Sequence, residues 1–384
     1  MTAAAATTAV AAVPPLAGFT VGVTAARRAE ELATMLERRG AVVQQGPALR
    51  IVPVADDTEL ADATRALIAR PPDVTVATTG IGFRGWVEAA EGWGIAEDLL
   101  TALGSGRLLA RGPKARGAIR ASGLVDAWSP PSESSAEVLD HLLELGVDGL
   151  RIAVQLHGEP LPDVVDALSM AGAEVIEVPV YRWVPPADLG PLDRLIDAVL
   201  CGGVDVLAFT SAPAAASILA RADERGVRGP LLDALRGPVL ALCVGPVTAA
   251  PLEALDVRTV QPQRSRLGAM VRQLEAELPA RARRLPVAGH VLELRGHAVL
   301  IDGELRTVPP AGMALLRVLA RRAGRVVSRA ELLRALPGGS GDEHAVETGM
   351  ARLRSALGRP KLVQTVVKRG YRLSVDAGAD GHCL

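Results

Sequence analysis

The chain has 384 residues, 49% of them hydrophobic, with a mean hydropathy of +0.25, enough apolar material for two or three packed domains; disorder is excluded as its main state. It has no run of about 18 uncharged apolar residues, so no membrane span is expected, and its Ala/Thr-rich start lacks the basic leader of a secretion signal. The net charge of −1 hides a segregation, because residues 281–375 carry 18 Lys and Arg against 7 Asp and Glu while the remainder carries 24 against 36, the footprint of a nucleic-acid-binding module at one end.

Residues 1–17 read as a flexible tail ending at Pro14-Pro15. Phe19-Thr20-Val21-Gly22-Val23 has strand character, and Ala29, Leu32, Ala33 and Leu36 recur at helical spacing until Gly40 stops them. A strand from Val74 ends in Thr78-Thr79-Gly80, and Leu108-Leu109-Ala110-Arg111 runs into Gly112-Pro113. The same series then returns. Leu150 to Val154 is a strand, Val164, Val165 and Leu168 mark a helix stopped by Gly172, Val206 to Phe209 leads into Thr210-Ser211, and Leu240 to Val244 leads into Gly245-Pro246. Landmarks repeat at 172 − 40 = 132, 205 − 73 = 132 (Asp73 and Asp205) and 245 − 112 = 133. Two copies of one α/β unit are implied, and two lobes leave a cleft of the kind ligands occupy. Cys201, Cys243 and Cys383 have the spacing of neither a disulfide framework nor a zinc site, so a cytoplasmic protein without metal is expected.

In parallel α/β sheets, ligands collect beyond the carboxyl ends of strands, where helix N-termini present free N–H groups. Here those ends carry Thr78-Thr79-Gly80, Thr210-Ser211, Gly245 and Thr248, residues that suit an anion and also serve as ordinary helix caps and turns. The order strand-Gly-Ala-x-Val, Val178-Pro179-Val180-Tyr181, Phe209-Thr210-Ser211, Val244-Gly245-Pro246-x-Thr248-Ala249, then a Ser265 segment before a final helix, resembles uroporphyrinogen-III synthase over about 18–278. The resemblance implies two similar doubly wound α/β lobes joined by a two-stranded connection, with Ile51-Val52-Pro53-Val54 and Glu177-Val178-Pro179-Val180 as the crossing strands. One lobe would be 18–52 with 182–278, the other 53–181. It also implies a cofactor-free closure of a linear hydroxymethyl tetrapyrrole, with Tyr181 assisting departure of the hydroxyl and Thr79, Thr210, Ser211, Gly245, Thr248 and Ser265 near an anionic ligand of eight carboxylates. Departures from the family pattern are Val247, where a second threonine is usual, together with Thr79-Gly80-Ile81 and Arg111-Gly112-Pro113-Lys114-Ala115. The added Arg111, Lys114, Arg116 and Arg182 suit an acidic ligand, or equally a solvated surface.

Residues 279–289 read as a linker. From His290 short β runs (291–294, 298–301, 305–308) are broken by Gly296 and by Asp302-Gly303, a hairpin signal. A helix opens at Pro310, Ser328 and Glu331 suggest a capping box, and a third helix runs from about Glu343 to Leu357 with Val346, Met350, Leu353 and Leu357 on one stripe. A last hairpin has Lys368-Arg369-Gly370 at its tip, and 376–384 reads as a second tail. Sheet, three helices and basic hairpin make a winged helix-turn-helix domain over 290–375 that closely resembles the OmpR/PhoB-type effector domain, on Arg325-Val326-Val327-Ser328-Arg329-Ala330-Glu331-Leu332-Leu333, Arg352-Leu353-Arg354 and Gly370-Tyr371-Arg372. The resemblance puts the third helix in the major groove of double-stranded DNA, with His344, Thr348, Arg352 and Ser355 facing the bases and Arg354 at the flank. Arg352 suits a guanine, and Lys368 and Arg369 suit backbone or minor groove. Gly349 inside the helix reads as a close approach or as simple tolerance. Asp56-Asp57 has the look of a receiver domain's acidic pair, but no Asp, Thr and Lys series follows it, so phosphorylation is not the expected switch.

The expectation is therefore a transcriptional regulator whose synthase-like lobes sense a small anion, resembling actinobacterial fused regulators of nitrate and nitrite assimilation. A homo-oligomer or a partner regulator is compatible with it. The rival expectation is an active or bifunctional uroporphyrinogen-III synthase.

Overall fold

The computed structural model describes residues 13–53, 58–131, 134–158, 160–336 and 343–376. In chain order the elements begin β1 (Thr20–Val23), α1 (Ala29–Glu37), β2 (Val42–Gln45), β3 (Arg50–Pro53), α2 (Thr58–Ala69), β4 (Val74–Ala77), α3 (Gly80–Gly92), α4 (Ala96–Ser105), β5 (Arg107–Ala110) and α5 (Pro113–Ala121). There follow α6 (Ser135–Leu145), β6 (Arg151–Gly158), α7 (Pro162–Met170), β7 (Glu174–Val184), α8 (Gly190–Leu200), β8 (Val206–Phe209), α9 (Ala212–Glu224), α10 (Arg228–Arg236), β9 (Leu240–Cys243), α11 (Pro246–Glu253), β10 (Thr259–Val260) and α12 (Leu267–Arg281). The last quarter holds β11 (Arg283–Val287), β12 (His290–Leu294), β13 (Ala298–Ile301), β14 (Glu304–Thr307), α13 (Pro310–Arg321), α14 (Arg329–Ala335), α15 (Glu343–Leu357), β15 (Val363–Val366) and β16 (Gly370–Leu373).

The chain divides into two compact units, Met1–Ala48 with Pro186–Leu384, and Leu49–Pro185. The first holds a parallel sheet of order β10-β9-β8-β1-β2 and the second a sheet of order β5-β4-β6-β7-β3. Four strands of each order form the same series, with β1-β2 answered by β6-β7 and β8-β9 by β4-β5, while β10 and β3 are added at opposite edges. Each unit thus combines the opening half of one sequence copy with the closing half of the other. The central pairings are equivalent in detail. Thr20 N donates to Asp205 Oδ2 (2.8 Å) where β1 meets β8, and Arg151 N donates to Asp73 Oδ2 (2.7 Å) where β6 meets β4. Both sheets carry strands buried on both faces, as parallel sheets do, and the short runs Val74–Ala77, Val206–Phe209 and Leu240–Cys243 are apolar for that reason.

The connection differs from expectation in register. β3 runs antiparallel to the end of β7, pairing Ile51 with Trp183 and Pro53 with Tyr181, whereas 177–180 is committed to β6, where Glu177 pairs with Val154. Long β7 serves two neighbours in succession. Val54, like the Asp56-Asp57 pair, lies outside the described residues.

The basic module is a four-stranded antiparallel sheet, β11-β12-β13-β14, three helices and the β15-β16 hairpin around one core that includes Val346, Met350, Leu353 and Leu357. The stretch expected as linker instead finishes α12 and supplies β11, whose Leu285 and Val287 enter that core and whose Pro286 is tolerated because β11 is an edge strand. The expected N-terminal tail is tied down from Leu16, which is fully buried and whose N–H reaches Arg39 O at 2.9 Å; residues 1–12 and 377–384 lie outside the description. Half of the capping box forms: Ser328 Oγ accepts from Glu331 N, while the Glu331 carboxylate takes Arg322. A Cβ on Gly349 would press on Leu315 of α13, so this glycine marks a close helix approach.

Trp86, fully buried in the second unit, donates its indole N–H to Thr64 Oγ1 at 2.8 Å. Trp86→Ala leaves a cavity and removes the indole bond to the Thr64 hydroxyl, which keeps its bond to Leu60 O, and is expected to cost roughly 3–5 kcal/mol, read as a lower urea midpoint for this unit.

Candidate functional site

In the second unit the carboxyl ends of β4, β5 and β6 converge on the start of α3. Thr79 caps that helix, its Oγ1 accepting from Gly82 N (3.2 Å) and from Gln155 Nε2 (3.0 Å). Such a cap contributes about 1 kcal/mol, so Thr79 is first of all a structural group. Gln155 is fully buried, and its Oε1 has no hydrogen-bond partner among the described residues, an acceptor in want of a donor. Arg111 follows β5, its N–H on Ala77 O, with its side chain partly exposed. Tyr181 is buried near the end of β7, its ring 6.3 Å from that of Trp183, and Arg182 beside it pairs with Glu59 at 2.6 Å. Tyr181 also lines a cavity of about 540 Å³ with Ile51, Ile81, Arg84, Trp93 and Val180. Arg84 and Glu88 on its α3 wall form no ion pair among the described residues, and a Cβ on Gly85 between them would meet nothing within 4 Å. A carboxylate-bearing ring could be held there by Arg84 against an apolar wall. Gln155, Arg84 and Trp93 are absent from the sequence-based expectations, although Gln155 is a lone amide in the run Ile152-Ala153-Val154-Gln155-Leu156, a legible oddity.

In the first unit the strand ends carry the other expected residues. Thr210 follows β8 and Ser211 caps α9, its Oγ accepting from Ala214 N. Gly245 caps α11 in an extended conformation, Ser265 Oγ lies where a Gly245 Cβ would be, and Thr248 is buried in the first turn. These five residues therefore gather at the carboxyl edge of one sheet, with exposed Arg264 and Arg266 flanking Ser265. Cys243 ends β9, and burial pushes its thiol up to about 12.

On the basic module, His344, Thr348, Arg352 and Ser355 are exposed on the side of α15 away from its buried stripe, and Lys368 and Arg369 are exposed at the hairpin tip. Gly370 shapes that tip with φ 131, where a Cβ would strike Val327 O. Arg354 stands apart from the other six. Its guanidinium donates to Val363 O (3.0 Å) and Thr365 Oγ1 (2.7 Å) and lies over the Tyr371 ring, so it fastens α15 to the hairpin.

Two α/β units built on one repeated pattern, followed in the chain by a winged helix with one exposed basic face, define a fusion of an α/β module to a DNA-binding module. The chain belongs to the uroporphyrinogen-III synthase HemD family, whose model matches residues 30–272, and residues 303–373 match the C-terminal domain of transcriptional regulatory proteins. The uroporphyrinogen III synthase of the extremely thermophilic bacterium Thermus thermophilus is 31% identical with a TM-score of 0.56, covering 67% of this chain and all of that one. The uncharacterized protein YjjA of Bacillus subtilis is 28% identical over 260 residues, 67% of this chain and 96% of its own length. The response regulator PmrA of Pseudomonas aeruginosa is 36% identical over 114 residues, 29% of this chain and 51% of that protein. The fusion is that of a transcriptional regulator with an OmpR/PhoB-type DNA-binding domain, and double-stranded DNA is its partner. Among the described residues no helix is long and apolar enough to cross a membrane.

The two described cysteines of the first unit, Cys201 and Cys243, give a check on this geometry. At pH 8, iodoacetamide is expected to label exposed Cys201 and leave Cys243 unmodified in the native chain, as read by peptide mass mapping, because a buried thiol this far above the working pH holds almost no thiolate. Rapid labelling of Cys243 would mean that the β9 end is open.

Proposed function

We propose that the chain is a ligand-responsive transcriptional regulator in which the synthase-like units bind an anionic tetrapyrrole precursor and the winged helix reads an operator. The observation that carries the DNA half is the exposed row His344, Thr348, Arg352 and Ser355 on a helix whose opposite stripe is fully buried, next to a tip bearing Lys368 and Arg369. Arg352 reads a guanine in the major groove, the tip residues contact backbone or minor groove, and Arg354 holds the wing in place. Support for the ligand half comes from the strand-end residues Thr79, Thr210, Ser211, Gly245, Thr248 and Ser265, and from the Tyr181 cavity, where Arg84 has no ion-pair partner among the described residues. Arg111 and Arg182 add positive charge near the second unit's strand ends. The natural regulon is nitrate and nitrite assimilation, whose reductase depends on sirohaem made from uroporphyrinogen III.

Retained synthase activity is the second reading, favoured by the placement of Tyr181 in a cavity wall. In that case Tyr181 would help the hydroxyl leave, with no cofactor, and positioning of the flexible substrate would supply most of the rate. Purified protein mixed with hydroxymethylbilane separates the two: the regulator reading expects no III-isomer closure above background, and closure at enzyme-like rates overturns it. If turnover exists, Tyr181→Phe is expected to lower it at least tenfold, whereas unchanged turnover and affinity would make Tyr181 a packing residue. For the DNA half, Arg352→Ala is expected to weaken operator binding by about 1–3 kcal/mol and relax specificity at one base, measured by gel-shift titration; undiminished binding would remove Arg352 from the base-reading role.

A further inference from the structure

The repeat offers an internal comparison that points to how the two functions are joined. Asp73 and Asp205 occupy the same place in their sheets, each taking the first amide of the neighbouring strand on a side-chain oxygen. Asp73 is exposed. Asp205 is not, because the turn between β12 and β13 sits on it: a Cβ on Gly296 would fall inside contact distance of the Asp205 carboxylate, and His297 Nδ1 is 3.3 Å from Thr20 Oγ1. Around this point the basic module and the first unit's sheet exchange further bonds. His297 N donates to Gly18 O (2.8 Å), Arg317 of α13 donates across to Gly202 O (3.3 Å) and, within the module, to Gly296 O (2.7 Å), and buried Arg295 donates to Ala17 O (2.6 Å) with its guanidinium over the Phe19 ring.

We infer that this contact is a docking lock, with Asp205 and Gly296 as its positioning residues, which makes the DNA-binding module and the first synthase-like unit one cooperative body. Three features support a lock over a chance contact. The partners come from two separate segments of the module, the turn that joins β12 to β13 and the helix α13. A glycine stands where any side chain would collide. Burial holds the Asp205 carboxyl above its ordinary range, and the Thr20 amide, Arg317 and His297, which stand on both sides of the contact, offset that only in part. The lock sits at the amino ends of β1 and β8, opposite the strand ends that carry Ser211 and Gly245. A ligand at the carboxyl ends would therefore act on the module through the length of these strands.

The test uses the full chain and hydrogen exchange resolved by amide. In Gly296→Val, the His297 amide, bonded across the contact to Gly18 O, is expected to exchange at least tenfold faster, while the Tyr371 amide, bonded to Val327 O within the module, keeps its protection and reports that the module is folded. Asp205→Ala, which removes the acceptor of the Thr20 amide and the side chain beneath Gly296, is expected to speed His297 exchange severalfold, and Asp73→Ala to leave it unchanged. Unchanged His297 protection in Gly296→Val with a folded module would overturn the inference, as would equal loosening by Asp73→Ala and Asp205→Ala. If Gly296→Val does not fold, the Asp205→Ala and Asp73→Ala pair decides alone.

Discussion

The parallel pairing of β1 with β8, closed at its amino end by the Thr20 amide on Asp205, is the constraint on which the rest of the structure depends. It joins residues 185 positions apart, and the equivalent β4 to β6 pairing with its Asp73 bond joins residues 78 positions apart in the second unit. Because each unit draws its two halves from different sequence copies, neither copy can complete a sheet by itself. Closing such long loops costs entropy that rises only slowly with length, so the doubled chain can be cross-assembled by a few buried strand pairs. Thr79, Thr210, Ser211 and Gly245 then lie just beyond the ends of these strands.

The strand ends have two sides with different duties. At the carboxyl edges the hydroxyls of Thr79 and Ser211 are engaged as helix caps, and the position after Gly245-Pro246 holds Val247, 78% exposed, where the family usually has a threonine. At the amino edge of the first unit, the DNA-binding module rests on a residue whose counterpart in the second unit is exposed. In the proposed reading, the ligand and the docked module meet opposite ends of the same strands, a disposition in which differential affinity for two arrangements of the sheet can act as a coupling free energy.

The sequence made the repeat, the strand ends and the winged helix legible because each is written in local signals: a Gly stop after a helical stripe, a Gly-Pro turn, the stripe Val346, Met350, Leu353, Leu357. What it concealed depends on distant partners. β11 reads as linker because Arg283-Arg284-Leu285-Pro286-Val287 is short, basic and contains proline, and only pairing with β12 makes it a strand. Leu16 reads as tail until its burial beside α1 and α12 is known. Arg354 looks like a DNA contact on charge alone, yet its bonds run to Val363 and Thr365. The crossing segment of β7 reads four residues early because an 11-residue strand gives no local sign of where it changes neighbours. Arg84 and Gln155 escape notice since neither belongs to a motif, and only the cavity and the orphan carbonyl oxygen draw attention to them.

The coupling of the two modules, by which ligand binding to the synthase-like units changes DNA binding by the winged helix, stands at the centre of the proposed function. The most direct measurement is the affinity of the full chain for its operator, by fluorescence anisotropy at fixed salt, across a titration of uroporphyrinogen III or hydroxymethylbilane whose binding is followed in parallel. Operator affinity is expected to change at least about fivefold at ligand saturation, within the usual range of coupling free energies. Saturable ligand binding with no change in operator affinity would contradict that coupling.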